Sequence, residues 1–231
     1  MPPQRLPDGV TPSGEDEKAA AIAICPQIGD KVLQPIHHAE GAGLDRAIVA
    51  LARSGTPTLG ICGGYQLLGE RISDPHGIES DVRDLPGLGL LPLRTVFAAH
   101  KRTERAQGEV VADHGLFAGA AGLSAVGYEI HLGATAGAGS PVLRLAERQG
   151  VPTDDPDGAL SADGWLAGVY LHGFFDSPPL RGAILRNLAA RKGLAPHPDW
   201  GRAPRHDPFD RLAAHVRQHL DMAQLRSIIG W

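Results

Sequence analysis

The chain has 231 residues, a formal net charge of −4 and an aromatic fraction of 5%. A chain of this length can bury one full hydrophobic core, and its mixed charges lack the basic stripe that nucleic-acid binders carry. No apolar run approaches the roughly 18 residues that a membrane-spanning helix needs, and the N-terminus lacks the order of a signal peptide. We therefore expect a cytoplasmic protein that binds neither nucleic acid nor a membrane.

Cysteine usage narrows the chemistry further. Cys25 and Cys62 are the two cysteines of the chain. They cannot make a disulfide framework, and neither has the Cys/His spacing of a zinc site, so no metal site is predicted. Cys25 ends an apolar run, and we interpret it as a core residue.

The first third of the chain alternates between strand and helix patterns. Residues 1–18 mix Pro, Gly and charge without periodicity, which predicts a disordered leader before one domain over 19–231. Apolar runs predict buried strands at 19–25 and 57–61, each followed, directly or after a gap, by a segment with helical spacing. This alternation predicts an α/β fold with a parallel sheet.

The rest of the chain is rich in strand patterns and ends in helices. Gly-, Asp- and Pro-rich turns separate the strand patterns of the middle. Two helices are predicted over about 178–192 and 208–229. Ser177 and Asp207 precede prolines at their starts, which is typical of helix N-termini. Both helices carry an apolar stripe, so we expect them to cover the core.

The segment Gly60-Ile61-Cys62-Gly63-Gly64 has the form G-x-nucleophile-x-G where a strand ends and a helix begins. This is the nucleophile-elbow pattern, in which a strained turn lifts the nucleophile off the sheet and glycines avoid a Cβ clash. The helix N-terminus favours the Cys62 thiolate, and the backbone N–H of Gly63 would face an oxyanion on the substrate. The alternative is a small buried cysteine in a turn, so a partner base is needed to decide.

His172 is the candidate base among the 11 histidines. It closes a predicted apolar strand and precedes a glycine, so its imidazole can emerge at a sheet edge. His131 is intermediate, because it lies in a predicted strand beside Tyr128 and Glu129. We interpret the following as ordinary surface histidines: His37, His38, His100, His114, His197, His206, His215 and His219.

Four motifs occur in order along the chain: GICGGYQLLG, ISDPHGIES, GYEIHLG and GVYLHGFFD. In order and spacing they resemble the glutamine amidotransferase domain of the cobyric acid synthase family. AAAIAICPQIGD and FDRLAAHVRQHLD resemble the two ends of that domain. The resemblance implies a three-layer α/β sandwich with a mostly parallel sheet and a nucleophile elbow. Gln66, four residues after Cys62, favours this family over the related a,c-diamide synthases.

The resemblance also implies a reaction. Cys62 would attack the side-chain amide of glutamine, and His172 would pass the proton to the leaving ammonia. Gln66 and the strand from Tyr128 to His131 would hold the glutamine. Their alternative interpretations are a polar residue on a helix surface and an ordinary strand. Many class I amidotransferases carry a glutamate two residues after the histidine, but this chain has Phe174 there, which implies a Cys–His dyad.

The chain departs from its family in two places. It contains no GxxxxGK[ST] motif, so ATP and Mg²⁺ are expected only in a synthetase half that this chain lacks, and no cofactor is expected here. In the region 27–42 one strand–helix unit is missing relative to the family, with a turn that contributes to the oxyanion site. Losing an oxyanion donor costs about 10²–10³ in rate in other enzymes.

Three functional hypotheses follow from the sequence. The first is the glutaminase part of a cobyric acid synthase, with a synthetase chain or domain as partner and a corrinoid as the ammonia acceptor. The second is a truncated, catalytically impaired remnant that at most docks on a synthetase. The third is another cysteine hydrolase built on the same elbow, which would cleave an ester or peptide and leave glutamine untouched.

Overall fold

The computed structural model describes residues 22–24, 43–79, 81–203 and 208–230. Four predictions lie outside the described residues: the leader over 1–18, the core position of Cys25, and the missing strand–helix unit and lost oxyanion turn in the region 27–42. The strand predicted at 19–25 is described only at its centre, where Ile22–Ile24 are extended.

The described helices are α1 (Leu44–Arg53), α2 (Gly63–Leu68), α3 (Pro178–Arg191), α4 (Pro208–His219) and α5 (Met222–Ile229). The described strands are β1 (Ile22–Ile24), β2 (Thr58–Ile61), β3 (Arg71–Ser73), β4 (Asp84–Pro86), β5 (Leu93–Val110), β6 (Ser124–Gly137), β7 (Leu143–Arg148), β8 (Val151–Asp157), β9 (Ala159–Leu160) and β10 (Leu166–Val169). None of these helices is both long and apolar enough to cross a membrane.

A four-stranded sheet carries the candidate site. Its strand order is β1-β2-β10-β9, with β1, β2 and β10 parallel and β9 antiparallel to β10. β2 and β10 end together, because Ile61 and Val169 are partners in the ladder. Carboxyl ends of parallel strands meet at one edge of a sheet, so the residues that follow them, Cys62 and Tyr170, leave the sheet side by side.

Both faces of this sheet are covered. Leu59 and Ile61 of β2 belong to a core cluster that includes Leu180 and Ile184 of α3. Gly60 faces the opposite side, where an added Cβ would meet the backbone of α2, as expected from the alternation of side chains along a strand. Helix, sheet and helix therefore form three layers, and the predicted α/β class with a mostly parallel sheet is confirmed.

A second sheet of six strands holds most of the strand residues. Its order is β4-β3-β5-β7-β8, and β6 also pairs with β5. Of its described pairs, β3–β5 is parallel and the others are antiparallel. Buried and exposed residues alternate along the first half of β6, so one face packs on the core and the other meets solvent. The sequence predicted these strands but not their separation into an antiparallel sheet.

The C-terminal helices differ in part from the prediction. Helix α3 begins at Pro178, as predicted, and ends at Arg191. The single helix predicted over 208–229 is wrong, because α4 ends at His219 and α5 begins at Met222. Asp221 separates them: its backbone is extended and its carboxylate accepts hydrogen bonds from two backbone N–H groups of α5. A short acidic side chain stabilises a helix start more than a helix interior.

The chain divides into two compact units, and the boundary between them falls between Gly201 and Arg202. The first contains both sheets and the candidate site, and the second contains α4 and α5. The prediction that both belong to one domain over 19–231 stays a prediction.

Candidate active site

The elbow predicted around Cys62 is present in the structure. Cys62 stands between β2 and α2 with φ 56° and ψ −115°, a conformation that is strained for a residue with a side chain. Two backbone hydrogen bonds hold it there: the N–H of Cys62 donates to the carbonyl of Val169 at 2.9 Å, and its own carbonyl accepts from the N–H of Gln66 at 3.1 Å. The strain is therefore maintained by the strand end on one side and by the helix start on the other.

The glycines of the elbow allow close packing between β2 and α2. A Cβ added at Gly60 would lie 2.6 Å from the carbonyl oxygen of Gly64, which is too close for any side chain. Gly63 and Gly64 are buried in the first turn of α2. The backbone N–H groups of a first helical turn have no partner within the helix, so the N–H of Gly63 is available to a ligand atom beside Cys62.

The two predicted catalytic side chains meet at one backbone carbonyl. The thiol of Cys62 donates a hydrogen bond to the carbonyl oxygen of Ile130, in β6, with an S–O distance of 3.2 Å. The imidazole of His172 also hydrogen-bonds to the backbone of Ile130. The structure thus brings Cys62 and His172, separated by 110 residues, to the same atom of a third segment.

His172 follows β10 and is anchored to β6 through its backbone. Its N–H donates to the carbonyl of Tyr128 at 2.8 Å, and its carbonyl accepts from the N–H of Tyr128 at 3.1 Å. Gly127 makes this approach possible, because a Cβ there would lie 1.7 Å from the carbonyl oxygen of His172. The pairing explains why a glycine precedes the tyrosine of the GYEIHLG motif.

The electrostatic setting of His172 favours its neutral form. Burial lowers the pKa of His172, the nearby His131 lowers it further, and the hydrogen bond to Ile130 opposes both effects. A lowered pKa keeps the imidazole unprotonated near pH 7, the form in which it can accept a proton.

Gln66 lies in α2, and its side chain is buried in contact with Leu132 and Tyr170. Its side chain is 1% exposed, and its Nε2 donates to the carbonyl of Leu132 at 3.0 Å and to the hydroxyl of Tyr170 at 3.2 Å. Its Oε1 is buried and has no hydrogen-bond partner among the described residues. A buried acceptor without a donor costs about 1–3 kcal/mol, and a donor group on a ligand would remove this cost.

Tyr170 contacts Gln66 through its hydroxyl, and His131 stacks on the ring of Tyr170. Tyr170 is not among the site residues predicted from the sequence. The hydroxyl of Tyr170 lies 2.5 Å from Oγ1 of Thr135, and burial raises the pKa of Tyr170 to about 12. The imidazole of His131 stacks on its ring with a centroid distance of 3.7 Å. Nδ1 of His131 lies 3.1 Å from the carbonyl of Gly133. Tyr170 stands two residues before His172 in GVYLHG, which is the signal that could have found it.

The side chain of Tyr128, unlike those of Gln66 and Tyr170, is exposed. It is 55% exposed, and its contribution to the described geometry is the backbone pairing with His172. Phe174, the residue at the position where other amidotransferases carry a glutamate, is 1% exposed and packs against Phe117. The described residues therefore offer no acidic partner for His172 at that position.

A buried ion pair next to His131 was not predicted. The carboxylate of Glu129, 3% exposed, is paired with the guanidinium of Arg148. Burial by itself raises the pKa of Glu129, but the nearby imidazole of His131, at 3.8 Å, and the guanidinium of Arg148 outweigh it and lower that pKa to about 2. Arg148 also bonds to Asp155 on the neighbouring strand β8. Within the described ranges, no group of three His, Cys, Asp or Glu side chains is suited to hold a metal ion.

Comparison with known proteins identifies the family. Residues 14–180 match the profile of the CobB/CobQ-like glutamine amidotransferase domain. The chain belongs to this family. The resemblance inferred from the four motifs is thereby confirmed.

The chain is similar to several curated cobyric acid synthases. That of Moorella thermoacetica is 42% identical over 192 residues, which cover 81% of this chain and 37% of that protein. That of Syntrophobacter fumaroxidans is 38% identical over 198 residues, or 81% of this chain and 38% of that protein. That of Methylorubrum populi is 39% identical over 227 residues, or 96% and 43%. The chain thus spans about two fifths of the length of these curated relatives.

Solved structures matched by the fold have low TM-scores. PurLQS from Thermotoga maritima matches with a TM-score of 0.43 and 17% identity, over 64% of this chain and 68% of that one. A glutamine amidotransferase from Thermotoga maritima matches with a TM-score of 0.41 and 12% identity, over 87% of this chain and 69% of that one.

Proposed function

We propose that the chain is the glutaminase part of a cytoplasmic cobyric acid synthase. It hydrolyses glutamine and supplies ammonia for the ATP-dependent amidation of corrin side-chain carboxylates in cobalamin biosynthesis. The observation that carries the proposal is the hydrogen bonding of both the Cys62 thiol and the His172 imidazole to the Ile130 carbonyl, at the elbow of a chain from this family.

The first half of the reaction forms a thioester. The thiolate of Cys62 attacks the side-chain amide carbon of glutamine, forming a C–S bond, and the resulting oxyanion accepts a hydrogen bond from the N–H of Gly63. His172 holds the proton taken from the thiol and donates it to the amide nitrogen as the C–N bond breaks. The products are ammonia and a γ-glutamyl thioester on Cys62.

The second half of the reaction restores the thiol. Water attacks the thioester carbon while His172 accepts a proton from the water. The C–S bond then breaks, glutamate leaves, and the proton returns to the sulfur of Cys62. The lowered pKa of His172 supports this role, because the imidazole must be neutral to accept the proton.

Gln66, His131 and Tyr128 are the residues that we propose to hold the glutamine. The buried Oε1 of Gln66 would accept a hydrogen bond from an N–H group of the substrate, and its Nε2 is already fixed by Leu132 and Tyr170. His131 would support the binding site by stacking on the ring of Tyr170. Tyr128 would contact the glutamine with its exposed ring.

The ammonia acceptor and the ATP site belong to the synthetase part. The curated relatives are more than twice as long as their match to this chain, and the chain has no P-loop motif. We propose that a synthetase chain or domain supplies ATP, Mg²⁺ and the corrinoid site, and that the present chain supplies the ammonia.

The alternative is a catalytically impaired remnant. It is favoured by the short region 27–42, in which the family resemblance predicts an oxyanion-site turn. A remnant would keep the elbow and the fold but would hydrolyse glutamine slowly or not at all, even with a synthetase added.

Labelling with a glutamine-analogue diazo-ketone separates these functions. The expected result is one covalent adduct on Cys62, protected by free glutamine, in a protein that releases glutamate from glutamine. Absence of an adduct on Cys62, or an adduct that glutamine does not compete, contradicts the proposal. Hydrolysis of a small ester or peptide with glutamine left intact would favour the cysteine hydrolase hypothesis.

A further inference from the structure

The segment that carries His172 has two backbone N–H groups that no strand can satisfy. Strand β10 ends at Val169, whose carbonyl accepts the N–H of Cys62. His172 pairs with β6. Between them, the N–H groups of Tyr170 and Leu171 lie beyond the end of β2, because the neighbouring chain has turned into α2. Buried N–H groups in such a gap need another acceptor.

The carboxylate of Asp157 is that acceptor. Oδ1 accepts from the N–H of Tyr170 at 3.0 Å, and Oδ2 accepts from the N–H groups of Tyr170 and Leu171, both at 3.2 Å. The residue is 4% exposed. Hydrogen bonds to an ionised acceptor are about twice as strong as neutral ones, so one side chain fixes the two residues that precede His172.

The position of Asp157 is itself closely determined. It is the last residue of β8, and its backbone carbonyl accepts the N–H of Val142 at 3.1 Å. Gly158 then turns the chain from the antiparallel sheet to β9 with φ +81°, and a Cβ there would lie 2.4 Å from the carbonyl oxygen of Gly168. Asp157 therefore stands where the chain passes from one sheet to the other.

We propose that Asp157 is a positioning residue for His172: its carboxylate holds the backbone of Tyr170 and Leu171 so that the imidazole reaches the Ile130 carbonyl beside Cys62. This inference rests on the glutaminase function proposed above. It gives the dyad an acidic support from β8 in place of the residue two positions after the histidine, which here is the buried Phe174.

The charge state of Asp157 provides a specific readout. Burial raises the pKa of Asp157 to about 6, the negative charge of Glu129 adds to the effect, and the backbone hydrogen bonds and His131 oppose it. Two tyrosines, Tyr65 of α2 and Tyr170, also interact electrostatically with Asp157. Burial raises the pKa of each tyrosine, and the negative charge of Asp157 raises it further. Asp157 therefore gains a proton as the pH falls through about 6.

Asp157→Asn tests the proposal with little change in shape. Whichever way the amide is turned, its NH₂ group faces the N–H of Tyr170, so the segment must shift. A shift of about 1 Å in a catalytic group can cost 10²-fold in rate, so we expect kcat for glutamine hydrolysis to fall about 10–100-fold with KM within about twofold. Asp154→Asn is the matched control: the same change in the same strand, at an exposed side chain bonded to Arg144, with kcat unchanged.

The pH profile distinguishes positioning from a structural role. In the wild type, kcat requires neutral His172 and falls about 10–100-fold when Asp157 is protonated, so the acid limb of log kcat is steeper than a slope of one over about one to two pH units. In Asp157→Asn the slope falls to about one. Asn introduces no buried charge, so Asp157→Asn is expected to fold. Asp157→Ser, which keeps an oxygen acceptor, is the second variant if Asp157→Asn does not fold.

Three outcomes decide between the claims. Reduced kcat in Asp157→Asn together with the change of slope supports the inference. Unchanged kcat in folded Asp157→Asn, or in folded Asp157→Ser if the Asn variant does not fold, overturns the inference and leaves the glutaminase function standing. A wild type that neither hydrolyses glutamine nor forms the Cys62 adduct overturns both claims.

Discussion

The elbow around Cys62 and the strand β6 opposite it contribute to the site in different ways. The elbow contributes a side chain in a strained conformation, with glycines that let α2 pack on β2. Strand β6 contributes mainly backbone: the carbonyl of Ile130 accepts from Cys62 and His172, and Tyr128 pairs with the backbone of His172. The conformation of the nucleophile is thus encoded locally, whereas the carbonyl that accepts hydrogen bonds from both side chains comes from a strand distant in sequence.

Removing the nucleophile is the largest change that can be made on the elbow side. Cys62→Ala is expected to lower glutamine hydrolysis by about 10⁴-fold or more, because no other group can form the thioester. His172→Ala is expected to lower it by about 10²–10⁴-fold. Glutamate release measured at saturating glutamine checks both. His114→Ala, an exposed histidine in the same unit, is the control and should leave the rate unchanged. Glutaminase activity of Cys62→Ala near the wild-type rate would rule out the elbow as the catalytic centre.

The β6 side is tested next through its buried carboxylate. The pKa of Glu129 lies at about 2, below its ordinary value of 4.5. The interactions of ionised Glu129 therefore stabilise the fold above pH 4.5, and this stabilisation is lost as pH falls toward 2. It amounts to about 3 kcal/mol in the free energy of unfolding. Glu129→Gln should remove most of it at pH 7 and flatten the acid limb. Glu109→Gln, at an exposed residue of β5, is the matched control for urea unfolding at several pH values. Equal acid limbs in Glu129→Gln and wild type would contradict the assignment.

A substitution at the close contact between Gly127 of β6 and the backbone of His172 is expected to have a smaller effect on stability. In Gly127→Ala the new Cβ collides with the carbonyl oxygen of His172, so we expect a loss of about 2–3 kcal/mol in the free energy of unfolding and a lower kcat. Gly119→Ala separates collision from conformation, because Gly119 has φ +69° but no atom within 4 Å of the added Cβ. It should cost about 1–2 kcal/mol and leave kcat unchanged. Similar unfolding midpoints and rates in the two variants would show that the approach is looser than described.

The smallest expected effect concerns the substrate. Gln66→Leu removes the buried Oε1 that we propose to bind glutamine, and the loss of one hydrogen bond of about 1–1.5 kcal/mol should raise KM about tenfold. Gln107→Leu, at an exposed glutamine bonded to Glu147, is the matched control. Steady-state kinetics at varied glutamine concentration measures both. A KM in Gln66→Leu within twofold of the wild type would move the glutamine site away from the elbow.

Local patterns predicted the backbone geometry of the elbow. The glycines around Cys62 indicated a close helix–strand contact, and the contact at Gly60 has that geometry. A histidine that closes an apolar strand is expected at the edge of a sheet, and His172 follows β10 and pairs with the backbone of β6. The helix break at Asp221 was missed, since the apolar stripe continues through it. Glu129 is not predicted because a glutamate in a strand pattern gives no indication of its partner, and for Tyr170 the sequence signal is its position two residues before His172.

Elements whose cause lies within a few residues can be predicted from sequence: the strand–elbow–helix unit at Cys62, the α/β alternation and the start of α3 at Pro178. The groups that we propose to complete the site come from distant segments: the Ile130 carbonyl, the buried Oε1 of Gln66 and the carboxylate of Asp157. Every residue carries the same backbone carbonyl, and a buried carboxylate finds its donors in another strand, so neither can be identified from its neighbours in sequence. Such contacts are set by the packing of the two sheets, which no local pattern specifies.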